Sequence, residues 1–214
     1  MSYKTYNTLP QNDFEFLIDE GLKPHHKFLD VGCGAGRLGY QALSYLDNNN
    51  YYAFDKEQTE IILFRDSVLR ETNLAIVGKS AHIAEDDFNL KIFLPEHKFD
   101  YLYAYSVFTH VGPDLIAEFL TNVKKHLNEG AVFYATFMLG SKGCDIGASH
   151  ASRPHEFRNV WYTVEYLQEL ARPLGYEVEF VGDENKTWEG VERKLGDWTL
   201  TKLFTESGPW ANET

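Results

Sequence analysis

The chain has 214 residues, a net charge of −12, and 43% hydrophobic and 15% aromatic side chains, which suits one large domain with a buried core and a surface that repels nucleic-acid phosphates. Two cysteines, Cys33 and Cys144, exclude a disulfide scaffold or a Cys-rich metal site. The first residues lack an apolar h-region and no apolar run approaches the roughly 18 residues of a span, so neither membrane nor nucleic acid is expected as a partner and the cytoplasm is the expected compartment.

Residues 1–10 read as irregular. Asn12 or Asp13 then starts a helix carrying Phe14, Phe16, Leu17 and Ile18, which Gly21 and Pro24 end. Residues 27–31 form a first strand. It runs through Asp30 into Gly32, Gly34 and Gly36, after which Leu38, Ala42, Leu43 and Leu46 have helical spacing. The turn cluster 47–50 closes that helix, and residues 51–54 form a second strand ending at Asp55. From 57 to 71, Ile61, Ile62, Phe64, Val68 and Leu69 recur at helical spacing. Residues 81–84 read as a third strand leading to Glu85, Asp86, Asp87 and Phe88, and 99–105 as a fourth, suited to a sheet centre. Pro113 opens a helix with Leu115, Ile116, Phe119, Leu120, Val123 and Leu127 on one face, which Gly130 stops, and 131–139 is a fifth strand. Residues 140–159 break the rhythm and read as a long functional loop. Thr163 then caps a helix, and 177–181 with 197–204 read as a closing hairpin. Strands alternating with helices predict an α/β fold with a largely parallel, doubly wound sheet and helices on both faces, as a single domain over 1–214.

The stretch from Phe28 to Gly39 is the organising feature. Three alternating glycines bring bare main-chain amides close to a ligand, at the start of a helix that favours an anionic group. Gly34, Gly36 and Gly39 also match the dinucleotide fingerprint, with Asp55 about 20 residues on. Asp30 discriminates between the two cradles. A carboxylate at that position repels a pyrophosphate and suits a ligand bearing a positive amino group.

The run Asp30, Gly32, Gly34, Gly36 resembles motif I of the class I S-adenosylmethionine-dependent methyltransferases, over about residues 25–140. The resemblance implies a Rossmann-like seven-stranded sheet, mostly parallel with an antiparallel edge hairpin, and S-adenosylmethionine as cofactor, with S-adenosylhomocysteine as product. It implies that Asp30, Gly32, Cys33, Gly34, Gly36 and Arg37 wrap the methionine end of the cofactor. Asp55, with Lys56 beside it, would hold the ribose hydroxyls. Asp86 or Asp87 would accept from the adenine amino group while Phe88 packs on the ring. Tyr105 and Ser106 would pass beneath the cofactor, residues 1–24 would cover it, and 140–160 would face the substrate. Asn128, Glu129 and Gly130 stand where the family usually carries paired glycines or Pro-Gly.

Methyl transfer is an in-line displacement in a dry pocket, and a hydroxyl nucleophile gains from loss of its proton; His110 is the candidate base. His150, Arg153 and His155 could grip an acceptor's carboxylate, phosphate or sugar hydroxyl, or with two further ligands hold a metal, although no metal site is assigned. The remaining histidines have no ligand spacing, and Trp188, Trp198 and Trp210 read as packing residues. The expected function is methyl transfer to oxygen or nitrogen of a small-molecule acceptor such as a sugar, an acid or a natural-product intermediate. A catalytically silent cofactor-binding partner protein and a nicotinamide-dependent oxidoreductase are the alternatives.

Overall fold

The computed structural model describes residues 12–70, 79, 81–147, 149–150, 153–157, 159–183 and 198–205. Two compact units divide the chain, 1–87 and 88–214.

In the first unit, α1 (Asn12–Asp19) is followed by β1 (Phe28–Val31), α2 (Gly39–Tyr45), β2 (Tyr51–Asp55), α3 (Gln58–Leu69) and β3 (His82–Glu85). The apolar side chains Phe14 and Leu17 bury one face of α1, and the Phe14 ring meets Tyr45 of α2 edge-on at 5.6 Å. The Tyr45 hydroxyl donates to the Leu22 carbonyl at 2.9 Å, which anchors the chain as it leaves α1. Strand β1 is buried along its whole length, as a strand covered on both faces must be. It pairs in parallel with β2, and β2 in parallel with β3, with Asp30 beside Ala53 and Asp55 beside Glu85. Helix α3 buries Ile61 and Phe64 but leaves Ile62 exposed. One residue on from Ile61 is about 100° round the helix, so the apolar face is narrower than the spacing predicts.

In the second unit, β4 (Phe99–Ala104) leads to α4 (Pro113–Val123), whose face of Ile116, Phe119, Leu120 and Val123 is buried. A tight turn at Lys124–His126 enters β5 (Leu127–Leu139). Gly130 therefore does not stop the helix. It lies inside β5 at φ +77°, where the β4/β5 register slips between the Phe99 and Tyr101 pairings, and a left-handed glycine is what such a bulge requires. Residues expected to form one long functional loop contain β6 (Cys144–Ile146), β7 (Ser149–His150) and β8 (Arg153–Phe157), followed by β9 (Val160–Tyr162). Gly140, Gly143 and Gly147 let the segment lie close on its neighbours: a Cβ on Gly140 would come within 2.8 Å of Trp161, and one on Gly147 within 2.8 Å of the Asn159 carbonyl. Helix α5 (Val164–Ala171) is capped by the Thr163 hydroxyl, which accepts from the Tyr166 amide at 3.2 Å. The hairpin strands are β10 (Tyr176–Asp183) and β11 (Trp198–Thr205), antiparallel to each other, with β11 antiparallel to β5.

Strands β1 to β5 with β10 and β11 constitute a seven-stranded mixed sheet, mostly parallel, with an antiparallel edge pair. The core of the second unit is an aromatic cluster in which Phe108 lies 5.5–5.8 Å from Phe119, Phe133 and Phe137. Among the described residues no helix is long and apolar enough to cross a membrane.

Candidate functional site

The first unit collects the acids at the carboxyl ends of adjacent parallel strands. Between β1 and α2 the backbone turns through Gly32, Gly34 and Gly36 at φ +67°, +52° and +85°. The turn is closed by main-chain bonds, Cys33 N–H to the Phe54 carbonyl and Gly36 N–H to the Cys33 carbonyl, both 3.0 Å. The Asp55 carboxylate finishes it: Oδ2 accepts from the Gly34 amide at 3.0 Å and Oδ1 from the Glu57 amide at 2.9 Å. Each carboxylate oxygen retains a second lone pair for a ligand hydroxyl. The Gly34 amide, which a pyrophosphate would need, is already directed at a carboxylate.

The glycines serve different ends. A Cβ on Gly34 would meet nothing nearer than Glu60 Oε2 at 3.9 Å, so the space beside it is open. A Cβ on Gly36 or Gly39 would lie 2.1 Å from the Phe64 ring, so these two seat α3 against the turn. The fingerprint's last glycine is thus a packing residue.

Asp30 is not an open carboxylate. It is 4% exposed, and its Oδ2 accepts from the Tyr51 hydroxyl at 2.7 Å. Burial raises its pKa to about 7, against the Tyr51 hydrogen bond, which lowers it; the nearby Asp55 charge raises it further. Cys33 is likewise buried, and burial with the Asp30, Asp55 and Glu60 charges pushes its thiol far above the ordinary range. It is packing for the turn, not a nucleophile. At the end of β3, the Asp86 amide donates to the Asp55 carbonyl at 3.1 Å, which ties the third strand tip to the second. The Asp86 carboxylate accepts from the Asp87 amide at 2.9 Å and so serves its own turn, while Asp87 is exposed. Arg37 and Lys56 follow the turn and Asp55 directly.

In the second unit, Phe88 packs on Phe119 at 5.3 Å and Phe108 at 5.8 Å, and its carbonyl accepts from Asn122 Nδ2. Tyr105 and Ser106 follow β4, and Ser106 has φ +60°, a left-handed conformation unusual for a residue other than glycine. It is held by side-chain hydroxyls. The Ser106 amide donates to Thr136 Oγ1 of β5 at 2.8 Å, and Thr109 Oγ1 donates back to the Ser106 carbonyl at 3.1 Å. Strand β9 fastens the rest of the segment, with the Val160 amide donating to the Thr109 carbonyl at 2.9 Å and the Tyr162 hydroxyl to the Val111 carbonyl at 2.7 Å. His110 is exposed within this braced turn. Backbone strain of this kind clusters at active sites and ligand clamps.

His150 and Arg153 pair across the β7/β8 hairpin, with His155 two residues further along β8; their side chains lie outside the described residues. So do Trp188 and Trp210. Among the described residues no group of three or more His, Cys, Asp or Glu side chains could hold a metal ion. Sequence reasoning missed Tyr51, Glu57 and Thr136, because an aromatic or β-branched residue in a strand reads as core and a main-chain donor leaves no residue signature.

Residues 29–133 match the family described as "Methyltransferase domain". Among solved structures, the fold is shared with a SAM-dependent methyltransferase from Methanosarcina mazei at 18% identity and TM-score 0.64, covering 87% of this chain and 94% of that one. It is shared with the glycopeptide N-methyltransferase MtfA complexed with (S)-adenosyl-L-methionine at 12% identity and TM-score 0.64, covering 89% and 92%. A third is magnesium protoporphyrin IX methyltransferase from Synechocystis PCC 6803 with bound SAM, at 10% identity and TM-score 0.59, covering 88% and 74%.

Proposed function

We propose that this chain, whose residues 29–133 match the methyltransferase domain family, works as a class I S-adenosylmethionine-dependent methyltransferase and transfers the cofactor's methyl group to an oxygen or nitrogen of a small-molecule acceptor. The observation that carries this reading is the Asp55 clamp, in which one carboxylate closes the glycine turn through Gly34 and Glu57. A ligand with a net positive charge and vicinal hydroxyls suits that carboxylate; a pyrophosphate is repelled by it. The open space at Gly34 supports the same reading, since a side chain there would fill the cradle.

In this reading S-adenosylmethionine supplies an electrophilic methyl group on a sulfonium. Asp30, Gly32, Cys33, Gly34, Gly36 and Arg37 line its methionine end, Asp55 and Lys56 its ribose, and Asp86 or Asp87 with Phe88 its adenine. Tyr105 and Ser106 serve as a floor. His110 takes the proton of a hydroxyl or ammonium acceptor, and the β7/β8 hairpin with His150, Arg153 and His155 contacts that acceptor. The glycopeptide and porphyrin methyltransferases among the structural neighbours act on quite different acceptors on this one fold, so the acceptor class rests on the loops and not on the sheet.

Calorimetry separates the readings. S-adenosylmethionine and S-adenosylhomocysteine should bind, and the nicotinamide nucleotides should not; tight binding of a nucleotide alone would overturn the proposal. Incubation with a metabolite pool should yield a product heavier by one methyl group, and binding without any turnover would favour a silent partner protein. His110→Ala should reduce turnover far more than cofactor affinity, whereas equal losses would mark His110 as structural.

A further inference from the structure

The first unit contains a buried tyrosine, hydrogen-bonded to Asp30, that the binding roles above do not use. Tyr51 opens β2, four residues before Asp55, and is 1% exposed. Its hydroxyl reaches across to the neighbouring strand and donates to Asp30 Oδ2 at 2.7 Å. Three residues frame it: Phe28 stacks 6.2 Å away, Phe64 meets it edge-on at 6.0 Å, and Gly39 leaves the room it needs, since a Cβ there would come within 2.8 Å of the hydroxyl oxygen. An apolar ring would fill this space as well as a tyrosine does, so packing alone does not call for the hydroxyl.

We propose that Tyr51 is a positioning residue for the cofactor: its hydrogen bond fixes the Asp30 carboxylate two residues before the first glycine, and cofactor affinity depends on that bond. The inference rests on the cofactor reading above and adds a residue and a pH dependence to it. A carboxylate with no donor in a buried place prefers its neutral form, and a donor restores the charged one. Asp30 has its pKa raised to about 7, with the Tyr51 bond opposing the rise. Among the described residues, the titratable groups acting on this pair include Asp55 of β2 and Cys33 of the turn, with Glu60 of α3 acting on Cys33. Asp55 and Glu60 are acids and Cys33 stays protonated, so around neutrality the site gains negative charge by losing the Asp30 proton. Above about pH 7 an ionised Asp30 attracts the sulfonium and ammonium of S-adenosylmethionine; below it the attraction is lost. S-adenosylhomocysteine lacks the sulfonium and should respond less.

The test is calorimetric titration of the intact chain with S-adenosylmethionine and with S-adenosylhomocysteine, from about one pH unit below to one above neutrality. Wild-type affinity for S-adenosylmethionine should rise about fivefold or more over that range, the order expected for one coupled ionisation. Tyr51→Phe should move the midpoint upward, because the carboxylate loses its donor. Asp30→Asn keeps an acceptor for the Tyr51 hydroxyl and cannot ionise, so it should abolish the rise and leave only the ligand's own titration. A Tyr51→Phe variant that loses stability but keeps the wild-type midpoint would overturn the inference, as would an Asp30→Asn variant that keeps the wild-type profile. Absence of binding by the wild type to either ligand would overturn the cofactor reading and this inference together.

Discussion

Two strand tips in this molecule turn the chain sharply, and they do it by different chemistry. After β1 the backbone enters positive φ at Gly32, Gly34 and Gly36, where no side chain opposes it. After β4 it enters positive φ at Ser106, where a side chain does oppose it, and the hydroxyls of Thr136 and Thr109 hold it there. The first turn is permitted by the absence of atoms and the second is enforced by their presence. Glycine freedom leaves space for a ligand, while a stapled turn fixes the direction of whatever follows it, here the segment carrying His110.

The sharpest way to break that contrast is to add one methyl group to the glycine turn. Gly36→Ala puts a Cβ 2.1 Å from the Phe64 ring at φ +85°, so left-handed strain of about 1–2 kcal/mol adds to overpacking of about 1–3 kcal/mol. A loss of about 2–5 kcal/mol is expected in denaturant unfolding. Gly34→Ala, at φ +52° with open space around it, should lose only the strain, about 1–2 kcal/mol, yet weaken S-adenosylhomocysteine binding. If Gly34→Ala were the more destabilising of the two, the distinction between a glycine that only leaves ligand space and one that also seats α3 would be wrong. Asp55→Ala should reduce cofactor affinity by about 1–3 kcal/mol, since charge-assisted bonds to the Gly34 and Glu57 amides go with those to the ligand. Unchanged affinity would remove the ribose role.

The two turns also differ in how far residue order announces them. Alternating glycines after an acid, followed by helical spacing and further acids at the next strand ends, mark the first turn in the residue order and motivate the ligand class proposed for it. The second leaves no such trace. Ser106 looks like any loop residue, and Thr136 like any β-branched residue of a strand. Asp30 reads as a bare charge until Tyr51, 21 positions away, is seen to cover it. Gly130 reads as a helix stop because a bulge and a helix terminus both require positive φ, and only strand register distinguishes them. Residues 140–159 read as loop because strands of two to five residues are too short to show a period. Local signals are legible; partners brought together across the sheet are not.

A smaller effect sharpens the second turn. Thr136→Val keeps the shape and removes the acceptor of the Ser106 amide, at a cost of about 1–2 kcal/mol; Thr136→Ser should recover most of it. Ser106→Gly relieves the left-handed strain and adds unfolded-state entropy of similar size, so its own effect should stay within about 1 kcal/mol. If Thr136 staples a strained residue, Thr136→Val costs less on the Ser106→Gly background than on the wild type. Additive losses in that double-mutant cycle, read from chemical denaturation, would show that Thr136 serves the β5 core alone.

The smallest predicted effect sets the buried titratable groups of the two units against each other. His126 of the second unit is 1% exposed, with Nδ1 2.9 Å from the His97 carbonyl, so this nitrogen carries the proton and Nε2 does not. Nε2 is buried with no hydrogen-bond partner, beside the Phe93 and Phe99 rings. Burial lowers the His126 pKa, against the His97 bond and helped by Lys125 and Lys98. Below 6.5, the ordinary histidine value, the unfolded chain binds a proton that the folded one refuses, so this residue's contribution to stability is full above 6.5 and falls as the pH drops. Asp30 has the opposite sign. Its carboxyl is raised, so between about 3.8 and 7 the folded chain holds a proton the unfolded chain has released, and stability falls as the pH rises through that window. His126→Asn, which keeps a donor for the His97 carbonyl, should flatten the acid limb of the unfolding free energy below 6.5, while Asp30→Asn should flatten the descent toward 7. Each variant should leave the other's limb in place, and a single substitution that flattened both would mean that one group sets the pH dependence of the whole molecule.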